Sequence, residues 1–571
     1  MDFPLLSFIV WLPMGGLLLL LLVPADQQRV FRLIALGTVL LQGLGVGYVL
    51  VHGTAQAAGL WVESCPWMRL GLGSWGTLAV DYRVGVDGLN AGLLALTVVV
   101  LAMGIVASWN VQRYVKAYFA LYLLLDTLVM GSFLALDFLL FYVFFEMALL
   151  PVYFFIGLWG GEQGRQAATK FLLYTLLGTV LILVVLIGAG LSVYDPVATG
   201  MQLGLLVPGE ALTPAKIAAV QSMVHTATVP AEHVVHSLNL LHMQDGANFL
   251  PGTVLGLVGG GTFIGGYAAR LLAFVGLFVG FGIKMAAVPF HTWLPDAHVA
   301  APTPISMVLA GILLKMGAYG LLRTAYSIFP EGALYYQFEI GLLGVLSIIY
   351  AALNALAMQD LKRMVAYASV ASMGFVLLGV ASLTAEGVCG ALYQMISHGL
   401  LAVLLFGVVG VLDDRVGDRS ITHYSGLAHI MPCYAALAVL SFFVALGLPG
   451  FAGFIGEFLV LLGAFQAADA CWPQWLGMAG ALGILLNAAY WLWTVQRIFW
   501  GRFSLRFPDQ ARLLQDLTVR EYLLLMPLLC LLLLLGIFPH WLLGDMADTV
   551  GALVTRVHTV GQAHLAAMLQ P

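Results

Sequence analysis

The sequence predicts an all-α polytopic membrane protein with about fourteen transmembrane helices. The chain has 571 residues, of which 61% are hydrophobic and only 9% are charged, and its mean hydropathy is +0.99. A soluble globular protein carries about 25% charged residues, so this chain could not cover a water-facing surface. The net charge of −5 is too small to indicate a nucleic-acid partner. These observations favour one helical bundle in a lipid bilayer.

The spans follow from apolar segments of roughly 20 residues, the length that crosses a bilayer as a helix. A polar stretch, 52–85, separates the second span from the third, and a longer polar insert, about 195–268, follows the sixth. The N-terminal stretch lacks a basic segment and an A-x-A cleavage site, so we expect a retained first span rather than a signal peptide. The predicted spans lie near 4–24, 30–51, 86–108, 116–134, 137–158, 171–194, 271–291, 304–326, 335–357, 365–384, 390–412, 433–465, 476–499 and 522–543.

Lysines and arginines are distributed unevenly between the two sides of the predicted bundle. Loops after odd-numbered spans hold fifteen of the 23 lysines and arginines, whereas loops after even-numbered spans and the C-terminal tail hold six. Under the positive-inside rule, the odd-numbered loops face the cytoplasm. We therefore expect both termini and the polar insert to face outward.

Five ionisable side chains lie well within predicted spans and are candidates for handling protons. A charge at bilayer depth costs several kcal/mol unless it faces a partner or a water-lined cavity, so its default interpretation is functional. For a single histidine, a satisfied structural role is the simpler interpretation. The five residues are Glu146, Lys284, Lys315, His398 and Glu457.

Two predicted spans are interrupted by proline close to one of these charges. The seventh span breaks at Pro289, five residues after Lys284, and the twelfth breaks at Pro449, eight residues before Glu457. Interrupted spans in corresponding halves point to an inverted-repeat transporter core. A water-lined cavity at such a break could replace the lost helical hydrogen bonds. The bend of the seventh span carries three further ionisable residues, His291, Asp296 and His298.

This set of groups suits proton transfer. Two unit charges about 4 Å apart at an effective dielectric of 20 interact by about 4 kcal/mol. Moving one proton against about 150 mV costs roughly 3.5 kcal/mol. The energy of making or breaking one buried ion pair is therefore large enough to drive one proton across the membrane. A chain of alternating ion pairs could transmit this electrostatic effect laterally through the bundle.

Other polar features indicate no second chemistry. Within the insert, His233 and His236 have helical spacing, but no cysteine or carboxylate pattern completes a metal site, and a solvated surface helix is the simpler interpretation. The glycine-rich run 256–266 has no preceding strand and no GK[ST] ending, so we expect close helix packing or a loop. The five scattered cysteines predict core thiols. The insert also contains His225 and His242.

Six stretches of the chain, between about residues 80 and 500, closely resemble the antiporter-like subunits of respiratory complex I. Glu457 favours the chain 4, or subunit M, family of NADH-quinone oxidoreductases, because sister subunits and Mrp-type sodium/proton antiporters usually have lysine at this place. The stretches are KMAAVPFHTWLPDAHVAAPTPISMVLAGILLKMGAYGLLR, GVDGLN (85–90), FYVFFEMALLPVYFFIGLWGG, QDLKRMVAYASVASMGF (359–375), MISHGLL and LPGFAGFIGEF.

The resemblance implies an architecture of fourteen spans, with inverted five-helix repeats at spans 4–8 and 9–13 and with broken helices 7 and 12. On this basis the chain divides into four parts. These are 1–112 with spans 1–3, 113–328 with the first repeat and the insert about 195–268, 329–500 with the second repeat, and 501–571 with a cytoplasmic loop, span 14 and a C-terminal tail.

The resemblance also implies roles for the buried charges. Carried over by motif, Glu146 would pair with Lys284, and Lys315 would be the central relay. His398 would continue the polar axis, and Glu457 would be the exit-side proton carrier. A sixth residue, Asp137, matches a family position, although a helix-end cap explains it equally well.

Two features depart from the family pattern. Family members commonly have a histidine just before the MGF of span ten, where this chain has Ser372. Serine can hold a water molecule but cannot titrate near neutral pH, so a relay step there must use water or another group. The long insert with its histidines is also unusual, and contact with a neighbouring subunit is one role open to it.

The implied function is proton translocation by a membrane-arm subunit of a complex I-type NADH:quinone oxidoreductase, in a bacterial inner membrane beside sister antiporter-like subunits. NAD, FMN, iron–sulfur clusters and quinone would be bound by other subunits, because this sequence offers no cysteine cluster and no nucleotide fingerprint. Three alternatives stay open. They are a subunit of an Mrp-type cation/proton antiporter, a subunit of a ferredoxin-, hydrogenase- or formate-linked relative, and a non-transporting scaffold.

Overall fold

Helices account for most of the residues in a computed structural model of the chain. The predicted membrane-protein fold is confirmed, since thirteen helices in the described part of the chain are long and apolar enough to cross a bilayer. Of the glycine-rich run 256–266, residues 258–265 lie outside the described residues, as does Cys471. The structure describes residues 4–53, 60–206, 213–226, 229–257, 266–467, 472–506 and 512–569.

The observed helices match the fourteen predicted spans, and most ends agree within a few residues. The sixth span is longer than predicted, and the third begins later because residues before it form a strand. The spans are Leu5–Leu22, Gln28–Gly53, Ala91–Ala107, Val115–Leu134, Phe138–Met147 with Leu149–Trp159, Gly164–Ser192, Tyr267–Met285 with Trp293–Ala300, Thr303–Tyr326, Gln337–Ala357, Leu361–Ala381, Ala385–Val416, Pro432–Ala445 with Ala452–Gln466, Trp475–Phe499 and Val519–Ile537.

The structure confirms the two predicted helix breaks. Span 7 ends its first half at Met285, and the backbone of Ala286 then takes a left-handed conformation with φ of 59°. In span 12 the break is made by Gly447 and Gly450, with φ of 87° and 96°, on either side of the predicted proline. Glycine adopts these angles without a steric penalty, which explains the LGLPGF sequence at this point. The inverted repeats themselves stay a prediction.

Loop contacts support the alternation of the spans. The segment between spans 2 and 3 meets the N-terminus, where Glu63 accepts hydrogen bonds from the backbone of Leu6 at 2.7 Å and of Ser7 at 2.9 Å. On the opposite side, the indole of Trp159 donates to the carbonyl of Arg113 at 2.7 Å, which joins loops that follow odd-numbered spans. We call these the terminal side and the basic side of the bundle.

A small sheet covers part of the terminal side. Strands β1 (Trp61–Gly71) and β2 (Thr77–Val86) form an antiparallel hairpin, and β3 (Val235–Ser237) adds to β2 in parallel. The polar stretch between spans 2 and 3 is therefore mainly strand. The basic side carries a second pair of strands, Tyr424–Ser425 and Ser504–Leu505. The insert also contains helices Pro196–Gln202, Pro214–His225 and Leu240–Met243.

The prediction of a surface helix around His233 and His236 is wrong. His233 ends a short turn, whereas His236 lies on β3 and contacts the carbonyl of Trp75 through Nε2 at 2.8 Å. Burial lowers the pKa of His236, so it is neutral at physiological pH. Among the residues described, no group of three or more histidine, cysteine, aspartate or glutamate side chains could hold a metal ion. Pairing with β2, which is remote in sequence, overrides the local helical spacing.

The predicted C-terminal tail is a 30-residue helix, His540–Leu569, that packs along the terminal side. The hydroxyl of Thr549 accepts a hydrogen bond from the backbone of Gly88 at 3.2 Å. Farther along, His558 contacts the carbonyl of Leu383 at 3.0 Å. The C-terminal helix therefore bridges segments from the first and second halves of the chain.

One end of the C-terminal helix is held by a buried charge cluster. Arg270, counted above among the loop residues, is 1% exposed and contacts Glu331 at 2.5 Å, while His564 of the C-terminal helix lies 3.0 Å from the other carboxylate oxygen. Burial raises the pKa of Glu331, but hydrogen bonds from His564 and Arg270 outweigh it and hold the pKa below its usual range. The resulting stabilisation is present above about pH 4.3 and is lost as the pH falls through the folded-state pKa.

We expect Glu331→Gln to destabilise the folded chain by about 3–5 kcal/mol, because it leaves the guanidinium of Arg270 buried without a counter-charge. Limited proteolysis of the C-terminal helix in detergent-solubilised protein measures this effect. Glu339→Gln, the same change at an exposed position nearby, is the matched control. Equal protease sensitivity of the two variants would contradict the role assigned to Glu331.

Candidate functional site

The five candidate residues occupy one helical bundle, and four of them are almost fully buried. Lys315 is 0% exposed, Lys284 2%, His398 3% and Glu457 6%, whereas Glu146 is half-buried. Burial of so many ionisable groups is costly unless they contact polar partners or each other. Their individual surroundings therefore decide what each can do.

Lys284 and Glu146 are close neighbours without a direct ion pair. The ammonium of Lys284 lies 4.7 Å from the centre of the Phe145 ring, and within the described chain it has no hydrogen-bond partner. Glu146, next in sequence to Phe145, is near enough for the two charges to attract, and its Oε2 also lacks a partner there. Because Lys284 precedes the break of span 7, the carbonyl end of a half-helix favours its positive charge. A small movement would bring the two charges into a direct ion pair.

Lys315 and His398 form a direct contact between spans 8 and 11. The ammonium of Lys315 lies 2.7 Å from Nδ1 of His398 and donates to the carbonyl of Ala310 at 2.6 Å. The helix widens to a π-turn over Leu309–Leu313, which leaves this carbonyl free to accept the bond. When the ammonium donates, Nδ1 must accept, so His398 is then neutral with its proton on Nε2. The contact joins the two predicted repeats.

Glu457 lies at the break of span 12. Its Oε2 is 3.1 Å from the position that a Cβ on Gly447 would take, so the carboxylate packs directly on the glycine turn. Tyr490 is close enough to interact with this carboxylate. The hydroxyl of Tyr490 donates to Asn487, whose amide donates to the carbonyl of Ala445 at 2.9 Å. The break thus supplies the carbonyl of Ala445, and span 13 supplies the polar side chains of Tyr490 and Asn487 near the carboxylate.

Two polar residues between His398 and Glu457 were missed by the sequence analysis. Ser397 is 1% exposed and donates to Oε1 of Gln394, which is 3% exposed, at 3.1 Å. Gln394 packs against Gly456, the neighbour of Glu457. Its spacing of four residues from His398 places both side chains on one helix face, a signal that could have identified it. Because it carries no charge, a search for ionisable residues passed over it.

Two more buried groups lie toward the basic side: His298, a neighbour of Lys315, and Lys362, a neighbour of His298. His298 is 0% exposed, stacks on Phe406 with ring centres 4.6 Å apart, and has no hydrogen-bond partner on either ring nitrogen among the described residues. Lys362, counted above as a loop residue, is 1% exposed and donates to the carbonyl of Ala301 at 2.6 Å. Both Lys315 and Lys362 interact electrostatically with His298.

Of the other two residues of the span 7 bend, Asp296 lies at the surface and His291 is buried. Asp296 forms ion pairs with Lys170 at 2.6 Å and with Arg363 at 3.3 Å. His291 is 4% exposed, and its ring lies 5.2 Å from that of Tyr350. The bend therefore divides its polar side chains between the interior and the basic-side surface.

Asp137 and Ser372 have local hydrogen bonds. Oδ1 of Asp137 accepts from the backbones of Leu139 at 3.0 Å and Leu140 at 3.2 Å, which is the geometry of a helix N-cap. The hydroxyl of Ser372 donates to the carbonyl of Ala368 in its own helix at 3.1 Å. Capping accounts for Asp137 without a relay role.

Comparison with known proteins matches residues 135–191 and 200–485 to the family described as NADH:quinone oxidoreductase/Mrp antiporter, TM. NADH-quinone oxidoreductase subunit M of Rhodobacter capsulatus is 37% identical over 481 residues, which cover 84% of this chain and 83% of that protein. NAD(P)H-quinone oxidoreductase chain 4 2 of Thermosynechococcus vestitus is 34% identical over 572 residues, covering 99% of this chain and 95% of that protein.

Two solved structures have a similar fold. A chain of respiratory complex I from Thermus thermophilus with bound NADH superimposes with a TM-score of 0.75 and 28% identity, covering 97% of this chain and 99% of that chain. A chain of the Mrp complex from Dietzia sp. superimposes with a TM-score of 0.71 over 99% of this chain and 100% of that chain. At 19% identity, the second likeness concerns the fold alone.

Proposed function

Since this chain belongs to the NADH:quinone oxidoreductase/Mrp antiporter family, we propose that it translocates protons as an antiporter-like membrane-arm subunit of a complex I-type NADH:quinone oxidoreductase. Its complex I relatives, rather than the fold alone, support this assignment within the family. The observation that carries it is the contact between Lys315 and His398, which joins two buried proton-binding groups across the bundle.

In the proposed mechanism, a proton moves along a series of buried charged and polar groups. Glu146 attracts the ammonium of Lys284, and a shift of that carboxylate changes how readily Lys284 holds its proton. Lys315 receives the proton and passes it to His398, whose neutral Nδ1 already faces the ammonium. Gln394 and Ser397 orient the hydrogen-bonded path from His398 toward Glu457, but they carry no charge themselves.

Glu457 is the proposed last proton carrier of this chain. Its carboxylate lies at a helix break, where free backbone groups can form hydrogen bonds with water. The neighbouring Tyr490 and Asn487 form a hydrogen-bonded pair beside it. A glutamate at this place can alternate between neutral and charged forms, which is the property that the exit step requires.

The surroundings of the subunit follow from the same proposal. Sister antiporter-like subunits would flank the chain in the membrane arm of the complex, within a bacterial inner membrane. Both termini would lie on the periplasmic side, because the basic side of the bundle carries most of the lysines and arginines. NAD, FMN, iron–sulfur clusters and quinone would be bound by other subunits. The energy of the redox reaction would then reach this chain through its contacts with those subunits.

The experiment compares inverted membrane vesicles from cells with and without this chain. With the chain present, we expect NADH oxidation by quinone to acidify the vesicle interior, and without it we expect acidification to fall. Restoring the chain from a plasmid is the control. Sodium transport that needs neither NADH nor quinone would contradict the proposal and favour an Mrp-type antiporter instead.

A further inference from the structure

Asp87 and Arg323 form a buried ion pair where span 8 reaches the terminal side. Both terminal nitrogens of the guanidinium donate to the Asp87 carboxylate, each at 2.7 Å. The side chain of Arg323 is 3% exposed and that of Asp87 is 11% exposed. The Nε of Arg323 donates to the hydroxyl of Tyr319 at 2.9 Å, and that hydroxyl donates to the carbonyl of Phe133, also at 2.9 Å. The guanidinium is therefore fixed by three hydrogen bonds.

The pair lies on the same helix as the central lysine of the candidate site. Arg323 follows Lys315 by eight residues on span 8, which corresponds to about 12 Å along a helix. Tyr319 lies halfway between them and contacts the guanidinium. A proton that left Lys315 along span 8 toward the terminal side would meet this pair.

A cavity lies immediately beyond the pair. Its volume is about 140 Å³, and Asp87 forms part of its wall together with Asp545, Asp548 and Thr549 of the C-terminal helix. Since a water molecule occupies about 30 Å³ in the liquid, the cavity has room for several. Its carboxylates would favour hydrated protons over anions. Asp87 thus lines a cavity on the terminal side, while its partner Arg323 lies on the same helix as Lys315.

We propose that the Asp87–Arg323 pair is a proton seal, which prevents direct escape from Lys315 to the terminal side and leaves His398 as the path forward. Arginine suits this role because its guanidinium does not release its proton in proteins. A fixed arginine also excludes protons from other membrane pores. Asp87 holds the guanidinium in place and uses both of its oxygens to do so. This inference rests on the proposed function, since a seal matters only beside a proton path.

The test measures passive proton flux through the purified, assembled complex in liposomes, without NADH, under an imposed potassium diffusion potential. Asp87→Asn removes the carboxylate that holds the guanidinium in place, so the guanidinium no longer blocks the path, and we expect the proton permeability to rise by at least roughly tenfold over the unaltered complex. Electron transfer from NADH to quinone should continue, while the net acidification per electron falls. If the assembled Asp87→Asn complex has the same proton permeability as the unaltered complex, the proposed seal is contradicted.

The control is a second buried, bidentate ion pair on the basic side. Arg415 contacts both carboxylate oxygens of Glu521 at 2.8 Å, with side-chain exposures of 10% and 6%. Glu521→Gln removes the same kind of charge and should leave passive permeability within about twofold of the unaltered complex. Equal leaks in both variants would indicate a general packing defect and overturn the seal.

A double variant deals with failed assembly. If Asp87→Asn prevents assembly because it leaves a buried guanidinium unpaired, the measurement is made on Asp87→Asn with Arg323→Gln, which removes both charges. The double variant should leak as well, and a tight one would overturn the seal. Lys284→Ala is expected to stop pumping without a leak. If Lys284→Ala stops pumping while the Asp87 variants keep the proton permeability of the unaltered complex, the seal is refuted and the proposed function stands.

Discussion

Vesicles with the Lys284→Ala variant are expected to lose NADH-driven acidification, and electron transfer from NADH to quinone is expected to fall with it. The ammonium of Lys284 is buried without a hydrogen-bond partner in the described structure, and its one charged neighbour there is Glu146. Alanine removes the group that binds the proton and also the charge to which Glu146 responds. When proton movement and quinone reduction are coupled, blocking the first slows the second.

The measurement follows both activities in the same vesicles, after a native gel has shown that the complex assembles. Lys170→Ala is the matched control, since Lys170 is half-exposed and pairs with Asp296 at the basic-side surface. Such a surface ion pair contributes about 0–1 kcal/mol, so that variant should retain both activities. Normal acidification in an assembled Lys284→Ala complex would mean that the buried charge is structural, and the scaffold interpretation would then be preferred.

The spans were predictable because composition and segment length report directly on burial in a bilayer. The breaks of spans 7 and 12 were also predictable, since proline cannot continue a helix without losing a hydrogen bond. The identity of the turn residue at the second break was less evident. Pro449 marks the place, but Gly447 and Gly450 adopt the unusual backbone angles.

Contacts between distant segments were beyond local sequence patterns. Arg323 lies near the end of the predicted eighth span and nothing in its local sequence singles it out, yet it pairs with Asp87, 236 residues earlier. Strand β3 pairs with β2, where Val235 lies opposite Thr77, 158 residues earlier, which is why a helical spacing of histidines was misleading. Lys362 directly follows a loop in sequence, but its side chain points inward to Ala301. In each case tertiary pairing, rather than local propensity, decided the outcome.

The candidate site was predictable in its charged members and not in its neutral ones. Charges within apolar runs identified Lys315 and His398 separately, and the structure places them in contact. Gln394 and Ser397 are equally buried but give no such signal, because an uncharged side chain in a helix costs far less than a charge. A proton path needs both kinds of residue, since water and amides link the groups that titrate.

Replacing Glu457 by glutamine is expected to stop proton translocation in an assembled complex. Glutamine has nearly the same shape, so the packing on Gly447 should be kept, but its amide cannot bind and release a proton near neutral pH. Loss of transition-state proton transfer by a positioned carboxylate typically costs about 10²–10⁴-fold in rate. We therefore expect NADH-driven acidification to fall by at least that lower factor, measured with the same vesicle assay.

Two further variants separate titration from packing at Glu457. Glu457→Asp keeps a titratable group on a shorter side chain and should recover part of the acidification, whereas Glu386→Gln, the same neutralisation at an exposed position, should change nothing. A scaffold would tolerate the isosteric Glu457→Gln and lose stability with Glu457→Asp, because shortening a buried side chain leaves a gap. The two hypotheses thus predict opposite orders of activity for the glutamine and aspartate variants, and only a proton carrier favours aspartate.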